Sequence, residues 1–317
     1  MIPDLFMVDL ERKPEVLTAL AEALRAEDPW AGAPIASTSH IVLLGMGSSH
    51  YANSVAAARM RARGIDAVAE LASSDLMPAV SDRTVVLAVS ASGGSAETLD
   101  AVSGYLDRCP VIALTNVDAS TITDGAAYVV PMLAQVEAGG VACRSFQHTL
   151  ALLLALESRL VGTGDIPALV QAAAAASTDL LEHQDAWLPP LIANAIGPDG
   201  THLVAPARRL SSALQGALML REGPRLPSVG CETGDWSHVD VYLTKTTDYR
   251  MMLFGGSRWE PELERWVRER GSRLVSIGAD VGVAAQVIRY RGDEDDDVRL
   301  LAEILVPELL AAAAWSS

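Results

Sequence analysis

Between Val89 and Ala96 the chain reads Ser90-Ala-Ser-Gly-Gly-Ser95, three hydroxyls and two glycines in six residues. A run of this kind can hold a phosphate. Glycine lets backbone N–H groups turn inward, serine donates to phosphate oxygens, and a helix starting just beyond adds the positive end of its dipole. The same residues also fit an ordinary helix start, where serine satisfies orphan N–H groups. A second small-residue loop, Gly45-Met-Gly-Ser-Ser49, offers Gly47, Ser48 and Ser49 in the same kind of place, with His50 directly after it. It does not match GxGxxG, and no suitable acidic residue ends the next strand to hold a ribose, so a nicotinamide cofactor is not expected. Further on, Glu222 ends an amphipathic stretch and His238 closes Gly234-Asp-Trp-Ser-His238. A carboxylate at a half-buried helix end can be tuned toward neutrality as a base, and histidine titrates near neutral pH. Read alone, a helix-end glutamate is also ordinary solvated surface, and a lone histidine an ordinary hydrogen-bonding residue.

The elements that position these residues follow from periodicity. Leu5 to Arg25 carries apolar residues at helical spacing and predicts an amphipathic helix, ended by Pro29 to Pro34. His40 to Gly45, Thr84 to Val89, Pro110 to Leu114 and Ala127 to Pro131 read as strands, the first two flanking the small-residue loops. Helices are predicted after Ser49, over Ala96 to Tyr105 and over Val141 to Leu160. Continuous apolar strands alternating with helices indicate a parallel sheet covered on both faces. Gly162 to Pro167 reads as a linker. A second series follows, with strands at His202 to Ala205, Arg250 to Phe254 and Arg273 to Ile277, and helices at Ser211 to Glu222 and Glu260 to Arg268. The expectation is an α/β chain of two doubly wound αβα domains with parallel five-stranded sheets, residues 1–163 and 164–317. The first keeps the better phosphate loop.

Composition sets the bounds. At 317 residues, half of them hydrophobic, the chain exceeds what one core usually supports. Its apolar runs fall short of the roughly 20 residues of a spanning helix, and Asp4, Asp9 and Glu11 stand where a secretory leader would be basic, so a cytoplasmic protein is expected. Cys109, Cys143 and Cys231 have no metal-ligand spacing, and neither a metal nor any other cofactor is expected. A net charge of -16 disfavours nucleic acid and anionic lipid. It would also repel a phosphate-bearing ligand, so binding must come from local N–H groups and hydroxyls.

Taken together, the motifs carry a resemblance. Val86-Leu-Ala-Val-Ser-Ala-Ser-Gly-Gly-Ser95, with Glu97 and Thr98 behind it, resembles the phosphate loop of the sugar-isomerase (SIS) domain family. Leu114-Thr-Asn-Val117 is similar to that family's next strand end, Glu137-Ala-Gly-Gly-Val-Ala-Cys-Arg-Ser-Phe146 to its Glu-x-Gly-Val-Ala-Ser-Thr-Lys-x-Phe segment, and Asp9-Leu-Glu-Arg-Lys-Pro-Glu15 to its Glu-Ile-x-Glu-Gln-Pro start. Ser212 to Glu222 resembles the helix that carries the family's catalytic base, and Gly234 to His238 its Gly-Glu-Leu-Lys-His. The resemblance covers nearly the whole chain, on the pattern of the isomerase half of glucosamine-6-phosphate synthase and its free-standing relatives.

It implies a sugar-phosphate isomerase, or a deaminating amino-sugar-phosphate isomerase, moving a proton between C1 and C2. Glu222 would be the base and His238 the ring-opening group, often supplied by a neighbouring subunit, so a homodimer with a shared site is implied. Gly47, Ser48, Ser49, Ser90, Ala91, Ser92, Gly93, Ser95 and Glu137 would hold phosphate and sugar. Departures are visible: Gln215 replaces a glutamate, Met219 a lysine, Ala142 a serine and Ala91 a glutamine. Lysine occurs only at Lys13 and Lys245, so the synthase's C-terminal Schiff-base lysine is missing. Ile2 stands where a glutaminase cysteine would follow the initiator methionine, so glutamine-dependent amide transfer is not expected. A non-catalytic sugar-phosphate sensor is the alternative. No helix-turn-helix or basic face supports a DNA-binding regulator, and a sensor has no need of Glu222 or His238.

Overall fold

Runs such as Ile41-Val-Leu-Leu44 and Val85-Val-Leu-Ala-Val89 are apolar at every position, and every one of these side chains is buried. Strands of this kind need cover on both faces, which parallel α/β sheets provide. In a computed structural model describing residues 1–316, two such sheets form. The first contains β1 (His40–Gly45), β2 (Ala67–Leu71), β3 (Thr84–Val89), β4 (Val111–Thr115) and β5 (Tyr128–Pro131), in the order β2-β1-β3-β4-β5. Ahead of it come α1 (Pro3–Glu11) and α2 (Lys13–Ala26). Helix α3 (Ser48–Ala62) joins β1 to β2, α4 (Ala96–Ser103) joins β3 to β4, and α5 (Arg144–Val161), α6 (Ile166–Glu182) and α7 (Gln184–Ala195) follow.

The second sheet contains β6 (Thr201–Ala205), β7 (Ser228–Glu232), β8 (Arg250–Phe254), β9 (Arg273–Ile277) and β10 (Gln286–Ile288), in the order β10-β9-β8-β6-β7. Its helices are α8 (Leu210–Glu222), α9 (Thr233–Trp236), α10 (Glu260–Arg270), α11 (Asp296–Ala302) and α12 (Leu305–Trp315). Counted from its own first strand, this order repeats that of the first sheet. Both are parallel throughout, as the apolar runs predict.

The described residues divide into two units. One is 16–137 with 142–170 and holds the first sheet; the other is 1–15, 138–141 and 171 onward and holds the second. The linker reading groups the opening helix with the first sheet, whereas α1 belongs to the unit of the second. Phe6 lies 6.1 Å, centroid to centroid, from Trp315 of α12, and Lys13 pairs with Glu308, both fully buried. Nor is the opening helix continuous: α1 ends at Glu11 and α2 starts at Lys13, with Pro14 at its beginning. Among the described residues no helix is long and apolar enough to cross a membrane.

Candidate functional site

Strands β1 and β3 are neighbours, with Leu44 opposite Ala88, but α3 leads from β1 to one side of the sheet and α4 from β3 to the other. A crevice opens at the carboxyl ends of strands where the order reverses in this way. The loops at that point are the two small-residue segments. Gly47, at φ +49°, is the residue ahead of α3, and Gly93, at φ +64°, turns the serine loop; both angles favour glycine. Around Gly93 the backbone is pinned: its N–H donates to Ser90 O (3.1 Å), Ile122 N–H donates to Gly93 O (3.0 Å), and Asn116 N–H donates to Ala91 O (3.2 Å). Ser90 is buried, Ser92 exposed, and Ala91, Ser48, Ser49 and Ser95 half-buried.

Ser95 occupies the N-cap position of α4, yet its side chain caps no N–H. Its hydroxyl donates to the Glu97 carboxylate (3.1 Å) and accepts from Thr98 Oγ1 (3.2 Å). Gly47, lacking a side chain, leaves the start of α3 uncapped as well. Two helix starts therefore bring N–H groups without side-chain caps to one crevice, flanked by serine hydroxyls. This arrangement can hold a phosphate.

His50 stands on the first turn of α3. Burial lowers its pKa, against the raising effect of the Glu70 carbonyl and carboxylate. One turn further, Asn53 is fully buried with neither side-chain polar atom hydrogen-bonded, and a Cβ on Gly45 would lie 3.0 Å from its amide nitrogen. No motif points to Asn53 or to the side chain of Asn116, which accepts from Ala134 N–H (2.9 Å) and donates to Gln135 O (2.7 Å). An asparagine inside an alanine-rich helix and another at a strand end were the available signals.

Glu137 is committed to its own chain. Its Oε1 accepts from the N–H groups of Cys143 (2.7 Å), Arg144 (2.6 Å) and Ser145 (3.0 Å), and Oε2 accepts from Ser145 Oγ (2.7 Å). The carboxylate thus holds the start of α5.

In the second unit, α8 runs back along β6 and β7, with Ser228 Oγ donating to Ala217 O (2.7 Å). The last residue of α8 is the half-buried Glu222, beside the amino end of β7, while His238 lies beyond its carboxyl end. Five residues of strand intervene, about 16 Å at about 3.3 Å per residue. Within one chain these two residues therefore sit at opposite ends of the sheet's strands. Gln215 and Met219 are both fully buried and in mutual contact, Nε2 to Sδ 3.7 Å, a neutral pair on the inward side of α8. His238 borders a hollow of about 340 Å³ lined by Glu232, Asp235, Trp259 and Glu262. Its segment is anchored by Trp236, whose Nε1 donates to the Tyr249 hydroxyl (2.8 Å); Tyr249 in turn stacks on His202 with centroids 4.0 Å apart. Among the described residues no group of three His, Cys, Asp or Glu side chains could hold a metal ion.

Residues 35–159 match the family model of the SIS domain. Over 258 residues, 74% of this chain and 40% of the relative, the sequence is 28% identical to a glutamine–fructose-6-phosphate aminotransferase (isomerizing) of Methanosarcina acetivorans. The chain thus spans about 40% of the length of the curated relatives it matches. The C-terminal domain of glucosamine-fructose-6-phosphate aminotransferase from Francisella tularensis superposes with a TM-score of 0.82 at 17% identity, covering 98% of this chain and 96% of that one. Tagatose-6-phosphate ketose/aldose isomerase from Escherichia coli gives 0.80 at 15% identity, covering 98% and 92%. The match covers both small-residue loops and the first sheet, and the fold of the second sheet follows the same neighbours. Over residues 35–159, this chain is thus similar to the SIS domain.

Proposed function

We propose that the chain is an aldose/ketose isomerase of hexose or hexosamine 6-phosphates, acting by proton transfer between C1 and C2 of the open-chain sugar. The observation that carries this reading is the crevice between β1 and β3, where two helix starts without side-chain caps and the loops carrying Ser48, Ser49, Ser90 and Ser92 stand at the carboxyl ends of neighbouring strands. Such a site binds a dianion through local dipoles in a chain whose net charge is -16. Glu222 is assigned as the base and His238 as the group that opens the ring. Because they lie at opposite ends of the strands of one sheet, a site using both takes His238 from a second copy, so the active species of this reading is a homodimer.

The test is proton exchange at C1 and C2, followed by NMR in heavy water with a panel of hexose and hexosamine 6-phosphates. Exchange with ammonia release identifies a deaminating isomerase; exchange alone, a simple isomerase. Glu222→Gln is expected to abolish exchange while phosphate binding survives, and Ser92→Ala chiefly to raise KM. Mixing Glu222→Gln with His238→Ala chains should restore part of the activity, since one of the two sites in a mixed dimer keeps both groups. Binding of these sugar phosphates without exchange would overturn the enzymatic reading and leave a sensor.

A further inference from the structure

The second sheet has its own reversal point, between β6 and β8, where the loops are Pro206 to Arg209 and Gly255 to Ser257. No serine cradle occurs there. Arginines converge instead: a Cβ on Gly256 would lie 2.9 Å from Nη1 of Arg299, 3.1 Å from Nη2 of Arg209 and 3.3 Å from Nη2 of Arg208. Three guanidinium groups so close together require a shared counter-charge. Asp296, the first residue of α11, supplies it. Arg208 Nε donates to its Oδ2 (2.5 Å), Arg209 Nε lies 3.3 Å from its Oδ1, and Arg299 Nη1 lies 3.7 Å away. Other donors turn to strand-end carbonyls: Arg208 Nη2 to Gly256 O (2.8 Å), Arg299 Nη1 to Gly255 O (3.2 Å) and Arg299 Nη2 to Gly278 O (2.6 Å). Behind them Arg209 is sealed in and paired with the fully buried Glu303.

One carboxylate serves this cluster incompletely. Arg209 Nε and Asp296 Oδ1 are both buried, and despite their proximity neither makes a hydrogen bond. A tetrahedral oxyanion has more acceptor oxygens than a carboxylate and can meet several guanidinium groups at once. The front of the cluster is reachable, since the side chains of Arg208 and Asp296 are 43% and 40% exposed. Burial alone would raise the pKa of Asp296, but the Arg208 hydrogen bond and the charges of Arg209, Arg208 and Arg299 hold it below the usual value, so the carboxylate stays ionised at neutral pH. Neighbouring acids are partly engaged elsewhere: Asp293 holds Arg289, and Asp295 accepts from the N–H groups of Asp297 and Val298.

The geometry points to a second anion site at this place, formed by Arg208, Arg209 and Arg299, which takes inorganic phosphate or a phosphomonoester when the Asp296 carboxylate swings out. Asp296 is then a built-in competitor that keeps the site weak. The site is independent of the serine crevice and of any isomerase activity.

Binding of radiolabelled inorganic phosphate by equilibrium dialysis tests this, using the full chain with Ser92→Ala and Ser95→Ala to weaken the serine crevice. Adding Asp296→Asn is expected to raise phosphate affinity by about tenfold or more, because one like charge beside the ligand is removed. Adding Arg208→Gln should cancel the gain. An affinity unchanged by Asp296→Asn, or a gain that persists with Arg208→Gln, overturns the proposal. Should Asp296→Asn fail to fold, the side-chain Nε–H resonances of Arg208 and Arg299 in the unaltered protein provide the reading. They are expected to shift on titration with phosphate to tens of millimolar, and no shift overturns the proposal.

Discussion

Replacing Gly93 by alanine should disable the serine crevice through backbone geometry alone. At φ +64° an alanine carries the left-handed penalty of about 1–2 kcal/mol. The new Cβ would also fall 2.0 Å from Ser120 Oγ and 2.5 Å from Ser120 Cβ, separations no packed atoms sustain, so the loop or the Ser120 turn must shift by more than an ångström. Overpacking of that kind costs about 1–3 kcal/mol, bringing the total to about 2–5 kcal/mol. Each kcal/mol moves Tm by about 2–4 °C in a unit of this size, so a fall of roughly 4–20 °C is expected. Gly94→Ala is the control: no positive φ applies, and its Cβ would meet nothing within 4 Å. Thermal unfolding with and without a hexose 6-phosphate should show Gly93→Ala less stable and unable to gain from the ligand, and Gly94→Ala close to the parent in stability. Adding Ser120→Gly to Gly93→Ala should recover the contact part of the loss and leave the backbone part, a coupling visible in a double-mutant cycle. If Gly93→Ala and Gly94→Ala melted alike, the loop geometry argued above would be wrong.

Other expectations rest on single contacts. Glu137→Ala should lower stability by about 2–3 kcal/mol, because three N–H groups and a hydroxyl lose their shared acceptor; Glu137→Gln should cost less, as urea unfolding will show. Glu303→Gln should cost about 3–5 kcal/mol by taking from the buried Arg209 guanidinium its fully buried partner and leaving it only the Asp296 carboxylate it shares, whereas Arg209→Met combined with Glu303→Leu should regain much of that loss in the same assay. Cys231 should resist an aromatic disulfide reagent at mildly alkaline pH, since burial, then Asp240 and Asp235, push its thiol up to about 12. The folded state holds that proton more tightly than the unfolded chain. The associated stabilisation is therefore present below the ordinary thiol value of 9.0 and is lost as pH rises through about 12. A Cys231 that reacted as fast as the less buried Cys109 would contradict this.

The parts of this fold that can be read from sequence are those where burial is complete. Strands β1, β3 and β8 are apolar at all but one or two positions, β6 and β9 each hold a buried apolar core, and all five sit close to where the periodicity places them. Strands β2, β7 and β10 escape such reading because polar or small residues interrupt their apolar run, as in Ala67-Val-Ala-Glu-Leu71, or the run is short; β5, equally at an edge, keeps Tyr128-Val-Val130 together and is read. Within the candidate site, glycine and serine spacing locates the loops. Whether Ser95 caps α4 or leaves it open depends on where Glu97 and Thr98 direct one hydroxyl, which the letters alone do not encode. Glu137 illustrates the opposite limit. The residue type suits a sugar contact, but six residues downstream the chain turns its own N–H groups onto the carboxylate. The arginine cluster is invisible in sequence because Arg208, Gly256 and Arg299 lie far apart along the chain.

The contacts of α1 and the start of α2 with α12 are among the longest-range in sequence: Phe6 meets Trp315, and Lys13 meets Glu308 across 295 residues. Contacts that close so large a loop form after local ones, because the loop entropy must be met first. Truncating Phe6 to alanine should therefore hasten unfolding while leaving the folding rate nearly unchanged.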